Sequence, residues 1–203
     1  MKSKHSAAMS LALGILLTGT AMGDVSAIVE NCEGCHGDNG VSQWSDVPTI
    51  AGLPEFVHAD ALYLFRDQAR PCLSSEYRQG DTSRAAQSMC DVTAELDDAT
   101  LDAVAVYYFE QPFVAAKQEF DADLAAAGKA IHEQQCERCH SDGGANPDDE
   151  ASILAGQWAG YLENAFAQYQ AGDREQPKSM ADRVNALSAD DIKALVNFYA
   201  SQQ

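Results

Sequence analysis

The sequence predicts an all-α protein made of two tandem helical domains that are related by an internal repeat. Two observations predict this architecture. The second half of the chain matches the first at a fixed spacing, and apolar side chains recur at helical spacing in both halves. No segment shows the alternation that is typical of a strand. We place the domains at residues 24–112 and 123–203, with a connector at 113–122.

The repeat has an offset of 104 residues over its first part and of 91 residues from Met89 onward. The matched pairs are Cys32 with Cys136, Cys35 with Cys139, His36 with His140, Arg70 with Arg174 and Met89 with Met180. The change of offset means that the first copy holds about 13 extra residues between Arg70 and Met89. Because Cys72 and Cys90 lie at the two edges of this insertion, we interpret them as a disulfide.

Each copy has the same three predicted helices, one before the cysteine motif, one in the middle and one at the end. Their ranges are 25–35, 55–68 and 97–109 in the first copy, and 123–139, 158–170 and 189–200 in the second. Ser188 followed by Asp191 predicts a capping box at the start of the last helix.

The first 23 residues show the pattern of a secretory signal, with a basic start, an apolar run and small residues near its end. These features are Lys2 and Lys4, the run at 7–17, and Ala21 and Gly23. The run is too short to span a bilayer, and cleavage after Gly23 or after Ala27 would fit. We predict an exported, periplasmic protein with no membrane insertion after signal removal. The alternative is a retained amphipathic anchor.

The chain is strongly acidic, with a formal net charge of −18 at pH 7. Removal of the signal takes away Lys2 and Lys4 and no acidic residue, which makes the charge still more negative. Such a charge argues against nucleic acid or anionic lipid as a partner and favours a basic partner surface. A saline habitat would explain the acidity equally well.

Both cysteine pairs have the spacing Cys-x-x-Cys-His that is typical of covalent c-type haem attachment. Two thiols three positions apart reach the vinyl groups on one edge of the porphyrin, and the next residue places an imidazole under the iron. The alternative is a redox-active cysteine pair or a zinc pair with an incidental histidine. Because the motif occurs twice within a repeat, we predict two covalently bound haem c groups, attached at Cys32, Cys35, Cys136 and Cys139.

His36 and His140 are the predicted first axial ligands, and elimination favours Met89 and Met180 as the second ones. These two are the internal methionines of the mature chain, and they occupy equivalent positions in polar stretches. The competing ligands are His58, His132 and the thiolate of Cys90. Four filled axial positions would leave no vacant site for a substrate, so we predict no catalytic residues.

Two further features allow a functional and a structural interpretation. Aromatic residues on the second middle helix suit packing around a macrocycle better than an electron relay. They are Trp158, Tyr161, Phe166 and Tyr169. The acidic run at 148–150 is better explained as a solvated turn than as a docking patch.

With these motifs in view, the chain resembles two-haem cytochromes c built from tandem class I domains, and most closely the haem subunit of flavocytochrome c sulfide dehydrogenase. The similarity covers nearly the whole mature chain. It is most specific in the second cysteine motif, in the stretch at 153–158, in the connector at 111–118 and in the C-terminal stretch at 198–203. The insertion between Cys72 and Cys90 is more similar to other two-haem shuttles.

The resemblance implies His36 and Met89 as ligands of one iron and His140 and Met180 as ligands of the other. It also implies a proline carbonyl behind each histidine. Pro48 suits the first domain, whereas its equivalent is Ser152, which leaves Pro147 as a shifted candidate in the second.

For function, the resemblance implies electron transfer from an FAD-containing flavoprotein that oxidises sulfide, through the haems, to a soluble acceptor. The chain would then be an electron-transfer subunit and not an enzyme. A free-standing shuttle that donates to a terminal oxidase is the alternative. A haem enzyme acting on a sulfur compound or on peroxide is the third possibility.

Overall fold

The computed structural model describes residues 25–203, so the predicted signal at 1–23 lies outside the described residues. In the first half, the helices are α1 (Ser26–His36), α2 (Glu55–Arg66), α3 (Met89–Thr93) and α4 (Asp98–Phe109). In the second half, they are α5 (Ala122–Gln135), α6 (Ser141–Gly144), α7 (Ala159–Ala171), α8 (Lys178–Val184) and α9 (Ala189–Ala200). Among the described helices, none is both long and apolar enough to cross a bilayer.

Each half has its own apolar core. In the first half α2 packs against α3 and α4, and in the second half α9 packs against α5 and α7. The first core is centred on Leu101 and Tyr108 of α4, which are fully buried. The second is centred on Leu195 and Tyr199 of α9. Tyr108 and Tyr199 occupy equivalent positions at the offset of 91 residues. The helices and the two similar cores confirm the predicted all-α fold with two repeated domains.

The loops repeat as faithfully as the helices. The carbonyl of Gly40 accepts hydrogen bonds from the backbone N–H groups of Ile50 and Ala51, at 2.8 and 3.2 Å. In the second half, the carbonyl of Gly144 accepts the same two bonds from Leu154 and Ala155, at 2.9 and 3.1 Å. The offset of 104 residues therefore describes one loop conformation that the chain builds twice.

The two cysteine motifs differ in backbone conformation. The helix α1 continues to His36, whereas α5 ends at Gln135, so the predicted helix at 123–139 was too long. The Glu137 carboxylate accepts hydrogen bonds from the backbone N–H of Asp142 and of Gly143, which satisfies two donors of the following turn. Asp142 and Gly143 both have positive φ, at 54° and 71°, so a helix cannot continue through them.

The insertion in the first domain contains a feature that the sequence analysis missed. Its two ends form a short antiparallel ladder between β1 (Ser74–Ser75) and β2 (Gln87–Ser88). With only two residues in each strand, no alternating pattern can be recognised in the sequence. The ladder brings the start of the insertion next to the residue that precedes Met89.

The connector is fixed to the second domain. The backbone N–H of Ala116 donates to the carbonyl of Gly156 at 2.7 Å. The Gln118 side chain donates to the carbonyl of Gln157 and accepts from the N–H of Ala159, both at 2.9 Å. These bonds make residues 116–118 part of the second domain's surface.

The two domains meet through a buried amide. The Gln157 side chain accepts a hydrogen bond from the N–H of Thr49 and donates one to the carbonyl of Thr49, each at 2.9 Å. Both residues are almost fully buried, with 1% of their surface exposed. Beside them the indole N–H of Trp158 donates to the carbonyl of Ser42 at 3.0 Å. Trp158 therefore contacts the opposite domain, and its role includes more than packing within its own.

Replacing Gln157 by leucine is expected to lower the free energy of unfolding by about 2–4 kcal/mol, because two buried backbone groups of Thr49 would lose their partners. Urea unfolding followed by tryptophan fluorescence measures this loss, and we expect the domains to unfold less cooperatively. The matched control is Gln134→Leu on an exposed face of α5. An unchanged unfolding midpoint for Gln157→Leu would contradict the prediction.

Candidate functional site

The first cysteine motif opens onto a large cavity. Cys32, Cys35 and His36 occupy the last turn of α1, and the chain then reverses at Gly37. All three line a cavity of about 690 Å³, and Met89 at the start of α3 lines it too. The structure thus brings together the four residues that the sequence predicts for one haem site.

The imidazole of His36 is oriented for metal binding. Its Nδ1 lies 2.9 Å from the carbonyl of Pro48, and because a carbonyl can only accept, Nδ1 must carry the proton. The lone pair is therefore on Nε2, as in other histidines that bind a metal. Burial lowers the pKa of His36, although the bond to Pro48 opposes the shift, so the ring is neutral at pH 7. The proline predicted behind this histidine is in place.

Met89 is positioned by the first turn of α3. Ser88 and Asp91 form a capping box there, in which the Asp91 N–H donates to the Ser88 hydroxyl and the Ser88 N–H donates to the Asp91 carboxylate. The next residue, Cys90, is joined to Cys72 by a disulfide with a Cα–Cα distance of 5.5 Å. Met89 is therefore held by a helix cap on one side and by a covalent link on the other.

The walls of the cavity suit an apolar macrocycle. They include Ile50, Leu62, Val104 and Tyr108 from the first core. The volume lies within the usual range for cofactor sites, roughly 300–1,000 Å³. Burial raises the pKa of Cys32 to about 11, which argues against a reactive thiolate pair. The residues present therefore fit a haem bound through two thioethers.

The second domain supplies one wall of this cavity. Tyr161, Ala165 and Gln168 from α7, together with Arg174 just beyond it, line the same space as His36 and Met89. Tyr161 was predicted to pack around a macrocycle, and it borders the cavity of the first domain. No pattern in the sequence predicts this crossing, because the repeat by itself implies two separate sites.

The second motif is more open. Cys136 is half-buried and Cys139 is exposed. The Nδ1 of His140 lies 3.3 Å from the carbonyl of Ser152, so the position equivalent to Pro48 fills this role and Pro147 does not. Burial lowers the pKa of His140, which keeps it neutral. The predicted partner Met180 is a half-buried residue of α8. Ser152 also lines the cavity of the first site, whereas Cys136, Cys139, His140 and Met180 do not.

The two competing histidines are both buried. His132 is fully buried, with Nδ1 2.9 Å from the Tyr199 hydroxyl and Nε2 2.7 Å from the Glu137 carboxylate. Both nitrogens are occupied, so His132 has no free lone pair for a metal. His58 lines the first cavity, and its Nδ1 has no hydrogen-bond partner. Burial, together with the nearby His36, lowers the pKa of His58 to about 3. His58 therefore stays open as a competing ligand.

Among residues 25–203, no group of three or more His, Cys, Asp or Glu side chains has the arrangement of a metal site.

The acidic run at 148–150 is partly structural. The Asp149 carboxylate accepts hydrogen bonds from the backbone N–H and the hydroxyl of Ser141, at 2.6 and 2.9 Å. These bonds fix the turn that follows His140.

Comparison with known proteins agrees with this geometry. Residues 123–198 match the family described as cytochrome C oxidase, cbb3-type, subunit III. A protein of Thiomonas intermedia (strain K12), named thiosulfate dehydrogenase electron acceptor, is 31% identical over 157 residues, or 71% of this chain. By these matches the chain is similar to proteins of the cytochrome c family. This similarity supports covalently bound haem c as its cofactor. The chain spans 64% of the length of the Thiomonas relative.

Solved structures show the same fold. The chain superposes on cytochrome c4 of Pseudomonas stutzeri with a TM-score of 0.69 and 24% sequence identity. The match covers 90% of this chain and 96% of that one. Cytochrome c4 of Acidithiobacillus ferrooxidans gives 0.68 and 23%, over 85% and 99%. Thiosulfate dehydrogenase of Marichromatium purpuratum gives 0.66 and 25%, over 85% of this chain and 36% of that one. The two-domain class I architecture predicted from the sequence is confirmed.

The double variant Cys72→Ser with Cys90→Ser removes the disulfide. We expect it to lower the free energy of unfolding of the first domain by about 3 kcal/mol. We also expect a weaker bond between Met89 and iron, because Cys90 anchors the first turn of α3. Urea unfolding measures the first effect. The near-infrared sulfur-to-iron band and the methionine methyl resonance measure the second. The Met180 signal of the same molecule is the control. Loss of both methionine signals, or of neither, would contradict the inference that the disulfide positions Met89.

Proposed function

We propose that this cytochrome is an exported electron carrier with two covalently bound haem c groups, one in each domain. The observation that carries the proposal is the cavity lined by Cys32, Cys35, His36 and Met89, with the His36 ring fixed by the Pro48 carbonyl. The repeat extends the same assignment to Cys136, Cys139, His140 and Met180. The N-terminal pattern supports export to the periplasm.

A haem iron supplies reversible one-electron chemistry between the ferric and ferrous states. The protein's own contribution is to hold the ligands and to exclude water. His36 presents a neutral Nε2, and Met89 presents a thioether, which favours the ferrous state and raises the reduction potential. Because His36 and Met89 would both hold the iron, the bound haem would supply electron transfer and would offer no site for a substrate.

We propose that the electrons come from a dehydrogenase that oxidises a reduced sulfur compound. Similarity to the Thiomonas protein named as an electron acceptor supports thiosulfate dehydrogenase as the donor. The stretch at 153–158 and the C-terminal residues 198–203 support an FAD-containing, sulfide-oxidising flavoprotein. In either case the net charge of −18 favours docking on a basic surface. The electrons would then pass to a soluble acceptor.

Haem content tests the first part of the proposal. Purified protein, denatured and washed with acidified acetone, should retain two haems per chain by the pyridine haemochrome assay. Replacing Cys32 and Cys35 by serine should reduce this number to one, and the same change at Cys136 and Cys139 should do so independently. Retention of fewer than two haems by the unmodified protein would overturn the proposal.

Anaerobic mixing identifies the donor. The oxidised cytochrome is mixed with thiosulfate dehydrogenase and thiosulfate, or with a sulfide-oxidising flavoprotein and sulfide, and haem reduction is followed by absorbance. Reduction by one system at catalytic enzyme concentration identifies the donor class. Each substrate without its enzyme is the control.

The second candidate is a free-standing shuttle to a terminal oxidase. It is favoured by the nearly complete coverage of two cytochrome c4 chains and by the match of residues 123–198. Failure of both sulfur-oxidising systems, combined with rapid oxidation of the reduced cytochrome by a membrane oxidase, would favour this candidate.

A further inference from the structure

Two arginines that the repeat makes equivalent meet at the junction of the domains. Arg70 follows α2 and Arg174 follows α7, and both line the first cavity. Each guanidinium stacks on an aromatic ring five residues earlier, at 4.2 Å from the Phe65 centroid and 4.5 Å from the Tyr169 centroid. Each domain therefore contributes an arginine stacked on an aromatic ring to the same junction.

The positive charge at this junction is not balanced by the protein. In the part of the chain that the structure describes, neither Arg70 nor Arg174 forms an ion pair with a carboxylate. Only 8% of the Arg70 surface is exposed, and its Nε has no hydrogen-bond partner. Burial, and the charge of Arg174, lower the pKa of Arg70. A buried, unpaired charge is strongly destabilising, so this pair needs an anion.

Tyr161 adds a hydroxyl group to the same junction. Its hydroxyl lies beside both guanidinium groups, and its side chain lines the cavity. Burial alone would raise the pKa of Tyr161, yet Arg174 and Arg70 lower it to about 8. The equivalent residue in the first domain is Val57, so the hydroxyl is present on one side of the junction only.

We propose that Arg70, Arg174 and Tyr161 form an anion-binding site, shared by the two domains, for the propionate carboxylates of the haem attached to Cys32 and Cys35. The inference rests on the haem site proposed above. A haem carries two such carboxylates, and this site offers one buried cation, one half-buried cation and a phenol that line the same cavity as His36 and Met89. The second domain is thereby part of the first haem site.

Charge neutralisation at this site changes the reduction potential. A cation near the haem favours the ferrous form, which carries one positive charge less than the ferric form. Removal of one arginine both deletes that cation and leaves a carboxylate uncompensated. Both effects favour the ferric state, so the potential of the first haem should fall.

The test compares Arg174→Gln with Lys129→Gln by spectroelectrochemical titration of the two-haem protein. Lys129 is an exposed residue of α5, so its variant loses the same charge far from the cavity. We expect Arg174→Gln to shift the ferric–ferrous equilibrium of one haem about tenfold towards the ferric form, which is about 59 mV for a one-electron couple. Lys129→Gln should shift it less than twofold, and Arg174→Lys should restore most of the potential.

Tyr161→Phe provides a variant that keeps both charges and the shape of the site. We expect a two- to threefold shift in the same direction, because one hydrogen-bond donor is lost. If Arg174→Gln does not fold, this variant still tests the site. Unchanged potentials in the folded variants, with two haems retained, would overturn the inference and leave the proposed function standing. Absence of haem from the unmodified protein would instead overturn the proposed function.

A small external dianion could bind the same cations. Sulfate is therefore titrated against chloride at constant ionic strength while the potentials of the unmodified protein are measured. We expect no difference, because the carboxylates of the bound haem fill the site. A sulfate-dependent fall in potential that disappears in Arg174→Gln would show an open site for external anions and would contradict the propionate assignment.

Discussion

Replacing Gly128 by valine is expected to destabilise the second domain by roughly 3–5 kcal/mol. Gly128 lies on α5 where this helix crosses α9, and a Cβ there would come within 2.0 Å of the Ala194 carbonyl oxygen and 2.4 Å of its carbon. These are backbone atoms of a helix, so they cannot move aside as a flexible side chain would. Urea unfolding followed by the absorbance of the second haem measures the loss.

Ala127→Val is the matched control for Gly128→Val. Ala127 is the preceding residue on an exposed face of α5, so valine should cost only its lower helix propensity there, about 0.5 kcal/mol. We expect even Gly128→Ala to be more harmful than this control. Equal stability of Gly128→Ala and Ala127→Val would show that the two helices can separate at the crossing without loss.

Replacing Met89 by histidine is expected to lower the reduction potential of the first haem by roughly 0.2 V, within the range of about 0.8 V that axial ligands span. A thioether favours ferrous iron, whereas a second imidazole favours the ferric form. Met180→His is the matched variant, and it should lower the other potential and leave the first unchanged. Spectroelectrochemistry measures the potentials, and the near-infrared band should lose half its intensity in each variant.

Two outcomes would contradict these ligand assignments. If Met89→His changes neither potential, the first iron has another ligand, and His58 is the first candidate because it lines the same cavity with an unpartnered Nδ1. His58→Leu in that background would then identify it. If Met180→His changes neither potential, the repeat does not extend to the second iron.

The last helix was predictable because its local and global signals agree. Its predicted range, 189–200, is the observed range of α9, and Ser188 and Asp191 form the predicted capping box. An apolar stripe and a capping box indicate the same helix. Where such signals conflict, prediction failed. The apolar spacing before Cys136 continues past Gln135, but α5 ends at Gln135, and the Glu137 carboxylate binds the backbone of the turn that follows.

The chemistry of the site was predictable in kind, because the cysteine motif specifies its own cofactor and the repeat specifies equivalent ligands. The surroundings were not. The pairing of Gln157 with Thr49, 108 residues earlier, depends on how the two domains approach each other. The same approach brings Arg174 and Tyr161 into the first cavity. No local pattern carries this information, since each of these side chains would also suit a position exposed to solvent.

The connector has a consequence for how fast electrons can pass between the domains. The backbone N–H of Ala116 donates to the carbonyl of Gly156. A Cβ at Gly156 would lie 2.5 Å from the Cβ of Ala115, so the connector packs tightly against the second domain. In an electron carrier whose two domains are joined by a flexible linker, transfer between them is limited by the diffusion of the domains. Here the bonds between Gln157 and Thr49 join the domains as well. We therefore expect electron transfer between the two proposed haems to be independent of solvent viscosity.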